Sequence, residues 1–233
     1  MSQLTLRITL SIILIIFFQY SLHPESGSIG KIVKKKGTVE KSNLNCDSGN
    51  CKNSSVVILP GDRITTGKNS SADIILNDGT SIRIMERSDL IIYNIISKKK
   101  KTPTDLFSDY GKYKIIQQND YLETSLIFKT RNCVVKSVCS SMSLISGASE
   151  TGLFVYNGEA GFANIDPSII KAYIVKSGYE SFIKKNHPPI TPRMVPASLR
   201  LSWLQRYYLS DDIDKIIRYN KTGSAVEWFF TEK

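Results

Sequence analysis

From Gly30 onward the apolar positions of this chain fall in short runs, mostly three to seven residues long, set apart by Gly, Asn, Asp, Ser and Pro. Such runs at 8–12 residue spacing predict strands and tight turns, and so a mainly β fold. The predicted strands begin with Ile32-Val33 and Val39, between and after Gly30 and Gly37, and continue through Val56–Leu59 and Ile64–Thr66. Ala72–Asn77 and Ser81–Met85 read as a hairpin about Asp78-Gly79. A two-residue turn there sets Ile74 opposite Arg83, whereas gathering the apolar side chains sets Ile74 opposite Ile84 and Leu76 opposite Ile82. Burial is the stronger constraint, because a slip by one residue turns every side chain to the wrong face; a bulge near Thr80 would reconcile the two. Leu90–Ile96, Tyr110–Ile116, Leu122–Lys129, Val134–Val138, Met142–Ile145, Thr151–Tyr156, Ala172–Val175 and Tyr179–Ile183 follow, with a hairpin turn expected at Asn157-Gly158.

The pattern changes at both ends. Ile8–Leu22 is uncharged and preceded by Arg7. That length suits a signal-peptide apolar region and falls short of the roughly 20 residues that span a bilayer. Residues 1–26 are therefore expected to be a signal peptide or an uncleaved N-terminal anchor, and the remainder exported to the periplasm or cell envelope. The β domain is expected over 27–186. Residues 187–197 begin HPPITPRMVP, with four prolines in ten residues, and read as an extended linker. Over 198–233, Leu201, Leu204 and Tyr208 recur at helical spacing, and Ser210 with Asp211, Asp212 and Asp214 reads as a helix start, so a short helical cap is expected.

Composition then narrows the chemistry. The 233 residues carry a formal net charge of +10. Residues 1–26 contain one base, Arg7, and one acid, Glu25, so the positive charge belongs to the folded part. In an exported chain this favours an envelope protein or anionic polymer over nucleic acid as partner, with membrane association through the N-terminal segment. The four consecutive bases Lys98, Lys99, Lys100 and Lys101 are either a solvated loop or a basic patch for such a partner. Cys46 and Cys51 bracket turn residues and can bridge. Cys133 and Cys139 lie about 20 Å apart if extended, so they pair only if the chain reverses near Lys136. These spacings do not suit zinc, and neither histidine, His23 or His187, lies near them. There is no nucleophile elbow, phosphate loop or dinucleotide fingerprint, and no motif places a pair of acids. No catalytic residue, metal ligand or cofactor is expected.

Gly30, Val33, Gly37 and Val39, then GDRITTG (Gly61–Gly67), SADIILNDGTSIRI (Ser71–Ile84), and Ser88 with Leu90 together resemble the FecR domain. The family-motif residues are Gly61, Asp62, Thr66, Gly67, Asp78, Gly79 and Ser88. Agreement is looser beyond: Thr130 precedes Arg131 rather than Pro, and Val138, Cys139 and Ser140 hold the place of the family's RGT. Leu153–Gly158 and Val175–Gly178 fit its later strand-glycine pattern. The resemblance implies an extracytoplasmic, solenoid-like stack of short strands. In the best-known members it implies relay of a signal from an outer-membrane iron-siderophore transporter to a cytoplasmic sigma factor. Those members carry a cytoplasmic domain before the membrane segment and a larger C-terminal domain. The expected role here is therefore a binding or scaffold module without those parts, with envelope signalling linked to iron uptake as the alternative.

Overall fold

A computed structural model describes residues 27–43, 56–94, 103–117 and 125–200. The mainly β reading holds. Among the described residues, fifteen strands join one hydrogen-bonded sheet, and helix is confined to one turn, α1 (Ala197–Arg200). The rest of the expected helical cap, the N-terminal apolar segment, the Cys46–Cys51 pair and the whole basic run of Lys98, Lys99, Lys100 and Lys101 lie outside the described residues.

The strands are β1 (Gly30–Lys36), β2 (Val39–Asn43), β3 (Val57–Ile58), β4 (Asp62–Thr66), β5 (Ser71–Leu76), β6 (Ser81–Ile84), β7 (Ser88–Asn94) and β8 (Thr104–Ser108). They continue as β9 (Gly111–Ile116), β10 (Ser125–Thr130), β11 (Cys133–Ser146), β12 (Glu150–Asn164), β13 (Ala172–Lys176), β14 (Tyr179–Lys184) and β15 (Arg193–Met194). The hydrogen-bonded path runs β2-β4-β7-β8-β10-β11-β9-β6-β5-β1-β3, with β12 beside β11 and flanked by β13 and β14.

The sheet curls into a half-barrel with two facing walls, or layers. In the first half of the chain, consecutive strands cross between layers at one margin. β1 passes to β2 at Gly37, β4 to β5 near Asn69, β6 to β7 near Arg87, and β8 to β9 at Asp109-Tyr110. Gly37, Asn69 and Arg87 take φ of 70°, 55° and 49°, the left-handed backbone a sharp bend requires. In the second half the crossings move to the opposite margin, where β11 shifts register between Val138 and Ser141 and β12 bends at Gly158. The change of margin coincides with β8 and β10, which run parallel while every other described pair is antiparallel. The first layer thus holds β2, β4, β7, β8, β10, the first half of β11, the second half of β12, and β13. The second holds β3, β1, β5, β6, β9, the remaining halves of β11 and β12, β14 and β15.

Between the layers lies one apolar core, including Ile32, Ile64, Ile74, Ile82, Leu90, Leu106, Tyr113, Leu126, Phe128, Leu144 and Phe162. It forms because inward positions alternate along each strand, as in β5, where Ala72, Ile74 and Leu76 are buried.

Three expectations are corrected. The β5–β6 register sets Ile74 opposite Ile82 and Ala72 opposite Ile84, which neither anticipated pairing gave. The loop is three residues long, closed by Leu76 N donating to Thr80 O at 2.9 Å, with Gly79 left-handed at φ 85°. This loop keeps the apolar side chains on one face without a further bulge. Asn157-Gly158 makes no hairpin; its left-handed glycine (φ 78°) bends β12 between layers. The Pro-rich segment is extended but docked rather than free. Ile190 N bonds Phe182 O at 2.9 Å, Val195 N bonds Gly178 O at 2.8 Å, and Arg193 bonds Glu180 through Nε at 2.7 Å. Ile190, Val195 and Leu199 cover Ile145, Phe154 and Phe182 on the outer face of the second layer.

Candidate functional site

The family-motif residues hold the fold. Asp62, buried at the start of β4, accepts from Leu59 N at 2.9 Å and pairs with Lys41 Nζ at 3.0 Å, while Asn43 Nδ2 donates to it at 2.7 Å. Lys41 also donates to Val57 O at 2.5 Å. β2 and β3 are the two ends of the sheet path, so this cluster ties the ends together. Thr66 and Ser88 stitch the bend margin: Thr66 Oγ1 donates to Met85 O (2.5 Å) and accepts from Ser88 N (3.0 Å), and Ser88 Oγ accepts from Lys112 N (3.0 Å). Gly67 N donates to Thr38 O at 3.0 Å. Asp78 accepts from Thr80 N within its own turn (2.8 Å) and from Thr104 Oγ1 of the facing layer (2.5 Å). Gly61 and Gly79 supply left-handed turn positions.

Asp89 belongs to the same framework, though no motif marked it. It is fully buried; Oδ1 accepts from the Asp109 and Tyr110 amides at 3.1 and 3.0 Å, and Oδ2 pairs with Arg63 at 2.6 Å. Asp109 in turn pairs with Arg63 at 3.2 Å and Arg131 at 2.7 Å. The buried Tyr113 hydroxyl donates to Asp89 O and contacts Ser108 Oγ at 2.7 Å. Burial pushes this phenol well above its ordinary range, so it stays protonated.

Cys133 is a buried free thiol, which corrects the idea of a Cys133–Cys139 bridge. The chain does not reverse at Lys136; β11 continues to Val138 before bending. Burial raises the Cys133 thiol to about 12, so it is no nucleophile at neutral pH. Among the described residues no group of His, Cys, Asp and Glu could hold a metal ion.

What remains is surface, and its two outer faces differ. Lys98, Lys99, Lys100 and Lys101, read as a solvated loop or a basic patch, lie outside the described residues. On the first layer bases meet acids: Arg63 with Asp89 and Asp109, Arg131 with Asp109, and Lys129 with Asp105 at 2.9 Å. Lys176 faces Glu159 in the β12–β13 register. On the second layer, the half not covered by the Pro-rich strap carries Lys31, Lys34 and Lys36 on β1, Arg83 on β6, and Lys112 and Lys114 on β9.

Lys34, Arg83 and Lys114 fall in one cross-strand row with Asp73. The registers set Lys34 opposite Asp73, Asp73 opposite Arg83, and Arg83 opposite Lys114. Asp73 is held by Arg83 in a two-bond fork of 2.7 and 2.9 Å, which lowers its pKa, with Lys34 adding to the effect. Lys114 lies over the Tyr156 ring at 5.0 Å. Burial lowers the pKa of Lys112, while Glu86 opposes that shift. The parallel row runs Lys31, Ile75, Ser81, Ile116; there Ile75 and Ile116 are 39% and 41% exposed. Among the described residues, Lys31, Lys34, Lys35 and Lys36 enter no ion pair. Lys34, Lys35 and Lys36 continue β1 to its end rather than forming a turn. The available signal was the alternation Lys112-Tyr-Lys114, which puts two bases on one side of a strand.

Comparison with known proteins agrees with this framework. Residues 62–161 match the family described as FecR protein. The chain carries a FecR domain. That match starts at Asp62, at the sheet-end tie, and runs through the bend margin into β12. Two crystal structures of a "putative anti-sigma factor" from Parabacteroides distasonis ATCC 8503 share the fold. They give TM-scores of 0.51 and 0.52, each at 15% identity. They cover 67% and 68% of this chain, and 71% and 74% of theirs. No curated protein matches.

Proposed function

We propose that this chain is a non-catalytic extracytoplasmic binding module of FecR type, and that the uncovered cationic half of the second layer is the face that binds. The contrast between the two outer faces carries the reading. On the first layer Arg63, Arg131 and Lys129 are paired with acids, whereas on the second Lys31, Lys34 and Lys36 enter no ion pair among the described residues. Lys31, Lys34, Lys36 and Lys114, beside Ile75 and Ile116, offer charge and apolar contact together to an anionic component of the envelope. The family-motif residues supply the scaffold and take no direct part.

A photo-reactive residue placed at Ile116 in intact cells is expected to give adducts, and one at Ile127 of the first layer is expected to give none. Adducts at neither position, or at Ile127 alone, would reject this face.

A second reading, envelope signalling linked to iron uptake, draws support from the FecR match and from the fold shared with the Parabacteroides protein. It predicts that deleting this chain changes iron-uptake transcripts under iron starvation. Unchanged transcripts would remove it.

A further inference from the structure

We infer that the partner of the cationic face is the surface of an anionic lipid bilayer, the one to which the N-terminal apolar segment leads. This rests on the binding role proposed above. The first observation is position. The uncharged run Ile8–Leu22 ends shortly before β1, with only His23–Ile29 between. A fully extended segment of that length reaches at most about 25 Å. Gly30 opens the strand that carries Lys31, Lys34 and Lys36, so in a chain held by its apolar segment this face lies within that reach of the headgroups.

The second observation is the shape of the charge. The lysines lie on β1 and β9 of one sheet face, with Arg83 of β6 between them already paired to Asp73. A broad sheet face bearing dispersed lysines suits a planar array of phosphates, and each lysine near such a surface strengthens attachment by about fivefold. The third is apolar. Ile75 and Ile116 stand exposed in the neighbouring row and can enter the interfacial layer while the lysine stems lie along it. The other apolar patch on this layer, formed by Ile145, Phe154 and Phe182, is already covered by Ile190, Val195 and Leu199. The open half is therefore the part of the layer left to meet another surface.

The test uses the full chain, reconstituted through its N-terminal segment into nanodiscs of phosphatidylcholine alone or with phosphatidylglycerol. Amine acylation is read lysine by lysine by mass spectrometry. With phosphatidylglycerol, Lys31, Lys34, Lys36 and Lys114 are expected to react at least about fivefold more slowly than with phosphatidylcholine alone. Lys129, Lys136 and Lys176 should react equally in both. High salt should abolish the difference. Reversing Lys34, Lys36 and Lys114 together to Glu should restore rapid acylation of Lys31. Equal rates at the two sets of lysines in both lipids would overturn the inference. If that occurs while the residue placed at Ile116 still cross-links to an envelope protein or polymer in cells, the binding role stands and its lipid partner falls. Absence of adducts at Ile116 would remove both.

Discussion

The two outer faces of this folded sheet use charge in opposite ways. On the first layer, Arg63, Asp89, Asp109 and Arg131 form a chain of ion pairs anchored on a fully buried carboxylate. Removing a member leaves a desolvated group without its partner, so this charge serves the fold. On the second layer, Lys31, Lys34, Lys36 and Lys114 are carried on the sheet surface, and the ion pair among them, Asp73–Arg83, is partly exposed. Losing a lysine there costs the fold little. The same residue types are held in ion pairs with a buried carboxylate on one face, while on the other Lys31, Lys34 and Lys36 enter no ion pair among the described residues.

Mutations can pull the two uses apart. The largest effect is expected at the sheet-end tie. Asp62→Ala leaves Lys41 buried without its carboxylate, and urea unfolding should show a loss of about 3–5 kcal/mol. A loss under about 1 kcal/mol would mean that the tie is not structural. Next comes Asp89→Asn, which keeps the shape but removes the charge facing Arg63 and weakens acceptance from the Asp109 and Tyr110 amides. The expected loss is about 2–3 kcal/mol, with binding through the second layer unchanged in the surviving folded protein. The triple reversal of Lys34, Lys36 and Lys114 to Glu should do the converse. Stability should move by no more than about 0.5 kcal/mol. Attachment to phosphatidylglycerol nanodiscs should weaken about a hundredfold. Should Asp89→Asn weaken attachment as well, the separation between the faces would fail.

The smallest effect belongs to Asp73. Its carboxyl is held below the usual range, first by the hydrogen bond from Arg83. A depressed carboxyl stabilises the fold above its unfolded value of about 4, and that contribution disappears as pH falls through the lower folded value. Because the pair is partly exposed, Asp73→Asn should cost under about 1 kcal/mol at neutral pH. It should also flatten the acid limb of the stability curve below about pH 4. An unaltered acid limb would assign that limb to other carboxylates.

Much of the fold was legible because period-two alternation is a local signal. β5 and β6 stand out as Ile-rich runs whose buried positions alternate. β8 was not found: two of its three inward positions are Thr104 and Ser108, polar residues buried with side-chain partners, so the strand lacks an apolar stripe. The β5–β6 register was missed because Asp78-Gly79 fits either a two- or a three-residue loop, and cross-sheet packing selects between them. Asn157-Gly158 shows the same limit. Its left-handed glycine was readable, but whether it turns the chain back or bends one long strand depends on β11 pairing along both halves. The candidate face was hidden for a related reason. A run such as Lys98, Lys99, Lys100 and Lys101 is conspicuous because its charges are consecutive. Lys34, Arg83 and Lys114 are far apart in sequence and become neighbours through three strand registers that no single stretch encodes. The structural motif residues, by contrast, lay close together and were found together.

Lysine acylation of the full chain in native envelope membranes, compared with the same chain in detergent, reads both faces in one sample. If the second layer lies on the bilayer, reaction slows at Lys31, Lys34, Lys36 and Lys114 and is unchanged at Lys129, Lys136 and Lys176. Equal protection on the two faces, or protection confined to the first layer, would contradict it.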